Sequence, residues 1–166
     1  MAAGGPEIQG TPTAVFDPSE ILKTLNRHRV AYVLIGDVAA TLHGCPEQTY
    51  DLDILYADNA TNRRRLLAAL RELDARWDRP LTDEVLQRQP VFALNTKRGD
   101  LDIFSEVLGI GTYEQAVSHR LWVKVGRSKV PMLDLLALIK SKEAAADPNP
   151  RKRAALAYLK VLLRRG

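Results

Sequence analysis

The chain has 166 residues, 46% hydrophobic and 27% charged, the balance of one globular domain rather than two. A chain of this length buries roughly two thirds of its unfolded surface, so its core requires neither disulfides nor a structural metal, and the single Cys45 offers neither a bridge nor a zinc-ligand spacing. No apolar run reaches the roughly 18 residues of a membrane span, and the segment 1–20 lacks the basic start and apolar centre of a signal peptide, so a cytoplasmic protein away from the membrane is expected.

Residues 1–16 are rich in Gly, Pro, Ala and Thr without periodicity and are expected to form a flexible leader, leaving 17–166 as a single domain. Asp17-Pro18-Ser19-Glu20 supplies a cap and a first-turn proline, and Ile21, Leu22 and Leu25 follow at helical spacing, which predicts a helix to about His28. The β-branched run 30–35, stopped by Gly36, reads as a buried strand, and Val38 to Leu42 as a short helix ending at Gly44. Residues 49–56 alternate polar and apolar, so this strand carries Asp51 and Asp53 on one face and Leu52 and Ile54 on the other.

Asn59 is placed to cap a long helix to Leu73, with Leu66, Leu67, Leu70 and Leu73 facing the core and Arg63-Arg64-Arg65 expected in solvent. A short helix around 83–87 precedes a hairpin of strands 91–94 and 100–104, joined through Thr96-Lys97-Arg98-Gly99. A helix over 113–119, a small hairpin of 121–125 with 129–131, and an apolar helix over 132–146 follow, before Pro148 and Pro150 break the chain. The last segment, 151–163, should be an amphipathic helix with Leu156, Leu159 and Leu163 on its packing face. This order predicts an α+β domain, α/β-like in its alternation, with a mixed β-sheet flanked by helices.

The formal net charge is +4, yet residues 151–166 hold Arg151, Lys152, Arg153, Lys160, Arg164 and Arg165 and no acid, so the remainder carries 18 basic against 20 acidic groups. That basic segment is either a solvated helix face or a surface for a polyanion such as RNA or nucleotide phosphate.

Two strands each present a pair of aspartates two residues apart, Asp51 with Asp53 and Asp100 with Asp102. Like charges on one face repel, and burying them without a partner is expensive. A bound divalent cation relieves both costs, and hard oxygen donors suit Mg²⁺ or Mn²⁺ completed by substrate phosphates. An alternating pattern of this kind also occurs on solvent-facing strands, where it protects an edge.

The segment Leu34-Ile35-Gly36-Asp37-Val38-Ala39-Ala40-Thr41-Leu42-His43-Gly44, followed by Thr49, Asp51, Leu52, Asp53 and Ile54, resembles the signature of the DNA polymerase β-like nucleotidyltransferase superfamily. The match is closest to its small bacterial members, the minimal nucleotidyltransferases and the nucleotidyltransferase toxins. In that pattern a strand ends in a glycine turn, a short helix follows, and the next strand carries the two aspartates. Leu101-Asp102-Ile103-Phe104 is similar to the later strand that presents a third carboxylate, with Asp100 as the competing position. Pro131 to Ala145 is similar to a C-terminal helix whose lysine faces the cleft, which places Lys142 there and Lys140 as the alternative.

The resemblance implies a nucleotidyltransferase fold with C-terminal helices packed on the body, and an enzyme transferring NMP from an NTP to a hydroxyl on protein or RNA. It implies catalytic and metal-binding roles for Asp51, Asp53 and Asp102, a Mg²⁺ or Mn²⁺ cofactor, and nucleotide contacts at Gly36, Asp37, Thr49 and Lys142. For toxin-type members it also implies a cognate antitoxin as partner. The chain departs from the pattern at Asp37, where Gly or Ser is usual, and at Glu47, where an arginine is usual. A carboxylate beside a triphosphate repels it unless a metal or a basic side chain intervenes; Asp37 is expected instead to cap the short helix. These two residues motivate the alternative of a catalytically degenerate domain that binds nucleotide, RNA or a partner protein. His43 reads as a helix-ending, hydrogen-bonded residue, Cys45 as a structural thiol, and Trp77 and Trp122 as packing anchors.

Overall fold

The structure, a computed structural model, describes residues 15–46 and 48–166. Glu47 and most of the expected leader lie outside the described residues. Phe16, which composition places in the leader, packs on the core against Gly99, and the Asp17 N–H donates to the Arg98 carbonyl at 2.8 Å.

The first helix, α1 (Pro18–Arg27), begins where Asp17 accepts from the Glu20 N–H at 3.2 Å, and it buries Ile21, Leu22 and Leu25 completely. Strand β1 (Tyr32–Ile35), helix α2 (Gly36–Leu42) and strand β2 (Asp51–Tyr56) follow. Helix α3 (Ala60–Glu72) is capped by Asn59, which accepts from the Asn62 N–H at 2.9 Å. The buried Asn62 side chain accepts from the Ala31 N–H at 2.6 Å and donates to the Ala31 and Ala57 carbonyls, tying the start of β1 to the end of β2. Helix α4 (Asp83–Leu86) leads to the hairpin of β3 (Val91–Thr96) and β4 (Gly99–Phe104).

A two-stranded ribbon, β5 (Glu106–Val107) with β6 (Gly111–Thr112), precedes α5 (Tyr113–Ala116) and a turn of 3₁₀-helix. Strands β7 (Arg120–Val125) and β8 (Ser128–Leu133) form the second hairpin, and α6 (Leu135–Ala145) and α7 (Pro150–Arg165) complete the chain. The main sheet has six strands in the order β3-β4-β2-β1-β8-β7. Pairing is antiparallel between β1 and β2 and within both hairpins, and parallel for β2 with β4 and β1 with β8. This is the mixed sheet expected. Helix α1 packs on α3 and β8, while α2, α6 and α7 form a second group, α6 touching both of the others. Among the described residues no helix is long and apolar enough to cross a membrane.

Four local readings are corrected. Strand β8 runs on through Leu133, because Met132 and Leu133 continue the pairing with β7, and α6 starts only after Asp134, which accepts from the Ala137 N–H at 2.9 Å. Arg63 is buried rather than solvated, donating to Asp58 at 2.7 Å and Asp83 at 2.6 Å; Arg64 and Arg65 are exposed as expected. Trp77 packs edge-on against Phe92, but Trp122 is 55% exposed with the Arg120 guanidinium over its ring. On α7 the buried residues are Ala155 and Leu159, whereas Leu163 faces solvent.

Candidate active site

The parallel register of β2 with β4 sets Asp51 opposite Asp100 and Asp53 opposite Asp102, and the antiparallel register with β1 sets Asp53 beside Ile35. Because side chains alternate along a strand, the aspartates of both strands project from the same side. Carboxylate oxygens of Asp51, Asp53 and Asp102 all lie within 4.8 Å of one another. Asp100 is exposed and accepts from Asn95 Nδ2 at 2.8 Å, which draws it toward β3 and leaves Asp102 as the third carboxylate of the cluster. Thr49 donates through Oγ1 to the Asp51 carbonyl at 3.2 Å and lies 3.4 Å from Asp51 Oδ1, so it orients the first carboxylate.

Gly36 makes the cluster possible. Its φ is +73°, and a Cβ there would lie 2.1 Å from Asp53 Oδ2 and 2.9 Å from Asp53 Cβ. Only a glycine turn allows β1 to end against that carboxylate.

Burial, followed by the charges of Asp102, Asp51 and Asp37, pushes the Asp53 carboxyl well above the usual carboxylate range. Burial and then the Asp51 charge raise Asp102 as well. Asp53 Oδ1 is buried and accepts no hydrogen bond from any described residue. An orphaned buried carboxylate oxygen among three clustered carboxylates is a costly arrangement for the protein alone and a fitting donor set for a hard divalent cation.

Asp37 does not cap α2. The cap position is Ile35, without a side-chain bond, and the Asp37 carboxylate instead binds Lys142 Nζ at 2.7 Å and Lys152 Nζ. Burial pushes the Asp37 carboxyl up, but the two ammonium groups outweigh it and hold the group below the usual range. Lys142 thus lines the cleft, while Lys140 is exposed. Lys152, at the first turn of α7, was legible only as one of six basic residues in a segment that could face nucleotide phosphate or RNA; nothing in the sequence singled it out from the other five. His43 donates through Nε2 to the Leu133 carbonyl, 2.8 Å away, and Cys45 is buried, both in the structural roles expected.

Two hollows meet at Asp37 and Lys152. A cavity of about 670 Å³ runs from Gly36 and Asp53 past Lys142 and Arg153, with Ile35, Phe104, Val107 and Leu156 as apolar walls. A smaller one of about 290 Å³ is lined by Thr49, Tyr50, Asp51, Asp100 and Arg151. The larger offers cations beside apolar walls, a combination suited to a phosphorylated ligand with an aromatic base.

The site thus joins an acidic triad on adjacent strands, a glycine turn pressed against it and a facing lysine helix. By sequence no family model and no curated protein matches the chain. By structure it is similar to the lincosamide antibiotic adenylyltransferase LnuA, solved with lincomycin bound, at 14% identity and a TM-score of 0.64, covering 90% of this chain and 99% of LnuA. It is similar to the antibiotic-resistance factor ANT(2'')-Ia at 15% identity and a TM-score of 0.59, covering 87% and 86%. A Thermotoga maritima protein described as a nucleotidyltransferase matches at 15% identity and a TM-score of 0.53, covering 92% and 98%. The chain therefore has the fold of these nucleotidyltransferases.

Proposed function

We propose that the protein is a nucleotidyltransferase dependent on a divalent cation, Mg²⁺ or Mn²⁺, which transfers NMP from an NTP to a hydroxyl acceptor. The acceptor oxygen bonds to the α-phosphorus, the bond from that phosphorus to the β-phosphate bridge breaks, and pyrophosphate leaves with the electron pair. The observation that carries this reading is the buried, unbonded Asp53 Oδ1 within the cluster of Asp51, Asp53 and Asp102. The cation would neutralise charge developing on the attacking and leaving oxygens. Asp51 and Asp53 would hold it, with Thr49 orienting Asp51, and Asp102 would complete the set and receive the acceptor proton. Gly36 leaves room for the ligand set, and Lys142 binds the polyphosphate from α6.

The acceptor is a hydroxyl on protein or RNA, as the resemblance to toxin-type members implies, with a cognate antitoxin as partner. The trench beside Asp51, with Tyr50 and Arg151 in its walls, supports an acceptor approaching from that side. The test is incubation with each labelled NTP, Mg²⁺ or Mn²⁺ and cell extract, beside the Asp51→Asn variant; lincomycin and tobramycin serve as further acceptors, since LnuA is bound to the first and ANT(2'')-Ia is known with adenylyl-2''-tobramycin. Label moving to protein or RNA only with the native chain supports the proposal. Label moving only to a small molecule keeps the reaction and replaces the acceptor, and no transfer with any NTP rejects the reaction.

A non-catalytic domain binding nucleotide, RNA or a partner protein is the second reading, favoured by Asp37 holding both cleft lysines. Nucleotide affinity unchanged between Mg²⁺ and EDTA would favour it.

A further inference from the structure

Asp37, Lys142 and Lys152 are brought together from α2, α6 and α7, across sequence separations of 105 and 115 residues. The Asp37 and Lys142 side chains are only 14% and 15% exposed, and Lys152 is 40% exposed. Asp37 and Lys152 line both hollows, so the ion-paired cluster stands between them. Lys152 also lies within electrostatic reach of Asp51 and Asp53. A carboxylate and a phosphate offer an ammonium group the same kind of charged oxygen acceptor. One carboxylate opposite two ammonium groups leaves a surplus of positive charge, whereas a triphosphate brings several negative charges and reaches both lysines at once.

We propose that Asp37 is an internal stand-in for phosphate: it occupies the polyphosphate subsite by binding Lys142 and Lys152, and an incoming triphosphate takes both lysines from it. Lys152 is then a second phosphate-binding cation. The inference rests on the nucleotide site proposed above and adds to it a built-in competitor, which discriminates against ligands with a single phosphate because these bring less negative charge to displace the carboxylate that already bridges both lysines. A cation bound at the triad strengthens the exchange, since it cancels the pull of Asp51 and Asp53 on Lys152.

The test uses the full chain and inorganic tripolyphosphate with Mg²⁺, titrated by calorimetry, so that neither base recognition nor transfer enters the signal. Asp37→Asn is expected to tighten tripolyphosphate binding at least tenfold and orthophosphate binding by much less. Lys152→Met in the Asp37→Asn background is expected to cancel that gain. Lys160→Met, on the same helix but paired with Glu143 at 2.8 Å, leaves the affinity unchanged. Asp37→Asn binding no tighter than the native chain overturns the proposal, as does a Lys152→Met change without effect in that background. Should Asp37→Asn fail to fold, Lys152→Met alone against Lys160→Met decides: a tenfold loss confined to the former supports the second cation, and equal affinities overturn it. Tightening without nucleotidyl transfer by the native chain keeps the stand-in and rejects the transferase. Transfer without tightening does the reverse.

Discussion

Gly36→Ala should damage this protein in a way that its sister substitution Gly44→Ala does not. Both glycines have positive φ, +73° and +112°, so each alanine carries the cost of a left-handed backbone, about 1–2 kcal/mol. At Gly44 the new methyl group meets only Leu162 Cδ1 at 3.8 Å, an ordinary contact. At Gly36 it would stand 2.1 Å from Asp53 Oδ2, 2.8 Å from its Cγ and 2.9 Å from its Cβ. Rotating the Asp53 side chain moves the oxygen but not the Cβ, so β1 and β2 must separate locally, adding about 1–3 kcal/mol of overpacking. A chain of this size loses roughly 2–4 °C of melting temperature per kcal/mol. The expectation is a fall of about 2–8 °C for Gly44→Ala and about 4–20 °C for Gly36→Ala, measured by thermal melts with EDTA. The same shift displaces a proposed metal ligand, so added Mg²⁺ or Mn²⁺ should raise the melting temperature of Gly44→Ala but not of Gly36→Ala. Equal melting temperatures and equal metal responses for the two variants would refute the placement of Asp53 against the glycine turn.

Asp53→Asn should stabilise the metal-free protein at neutral pH and abolish the Mg²⁺-induced rise in melting temperature, whereas Asp100→Asn, outside the triad, should retain that rise. Because the folded-state values of Asp53 and Asp102 are raised, the metal-free fold retains protons that the unfolded chain gives up. Their contribution is fully present below the ordinary carboxylate range and is lost as pH rises above that range through the raised folded-state values. Asp37, held low, acts in the opposite sense at more acid pH, its contribution being lost as pH falls through its folded value. Melts with EDTA between pH 5 and 8, values spanning the range above ordinary carboxylates, should therefore show stability falling with pH in the native chain and much less in Asp53→Asn. Arg63→Ala should cost about 2 kcal/mol, since it removes two charged hydrogen bonds to half-exposed carboxylates, while Arg64→Ala should stay within about 0.5 kcal/mol by urea titration.

What the sequence disclosed was what short-range pattern governs. The alternation of 51–56 put both aspartates on one face, and the glycine-bearing turn at 96–99 announced the hairpin that supplies Asp102. Pattern could not choose between Asp100 and Asp102, because both project from the same side of β4. Their difference arises across the strands: Asn95, opposite Asp100, offers it an amide, whereas Asp102 lies opposite Asp53 with Ala93 on its other side. Arg63 was misplaced for a related reason. Its position on α3 suits solvent, and only the arrival of Asp83 from a later helix makes its burial tolerable.

The same limit governs Asp37. As a local feature, a carboxylate at the second residue of a short helix reads as a cap, and beside a phosphate site it reads as a defect. Neither reading survives the arrival of Lys142 and Lys152 from more than a hundred residues away. Their approach turns an isolated repulsive charge into the partner of two cations that would otherwise face each other and a cavity with no anion between them. A basic side chain does intervene, which was the condition on which the sequence made triphosphate binding depend. The residue that looked least compatible with that ligand is thereby the one that keeps its two lysines together until the ligand arrives.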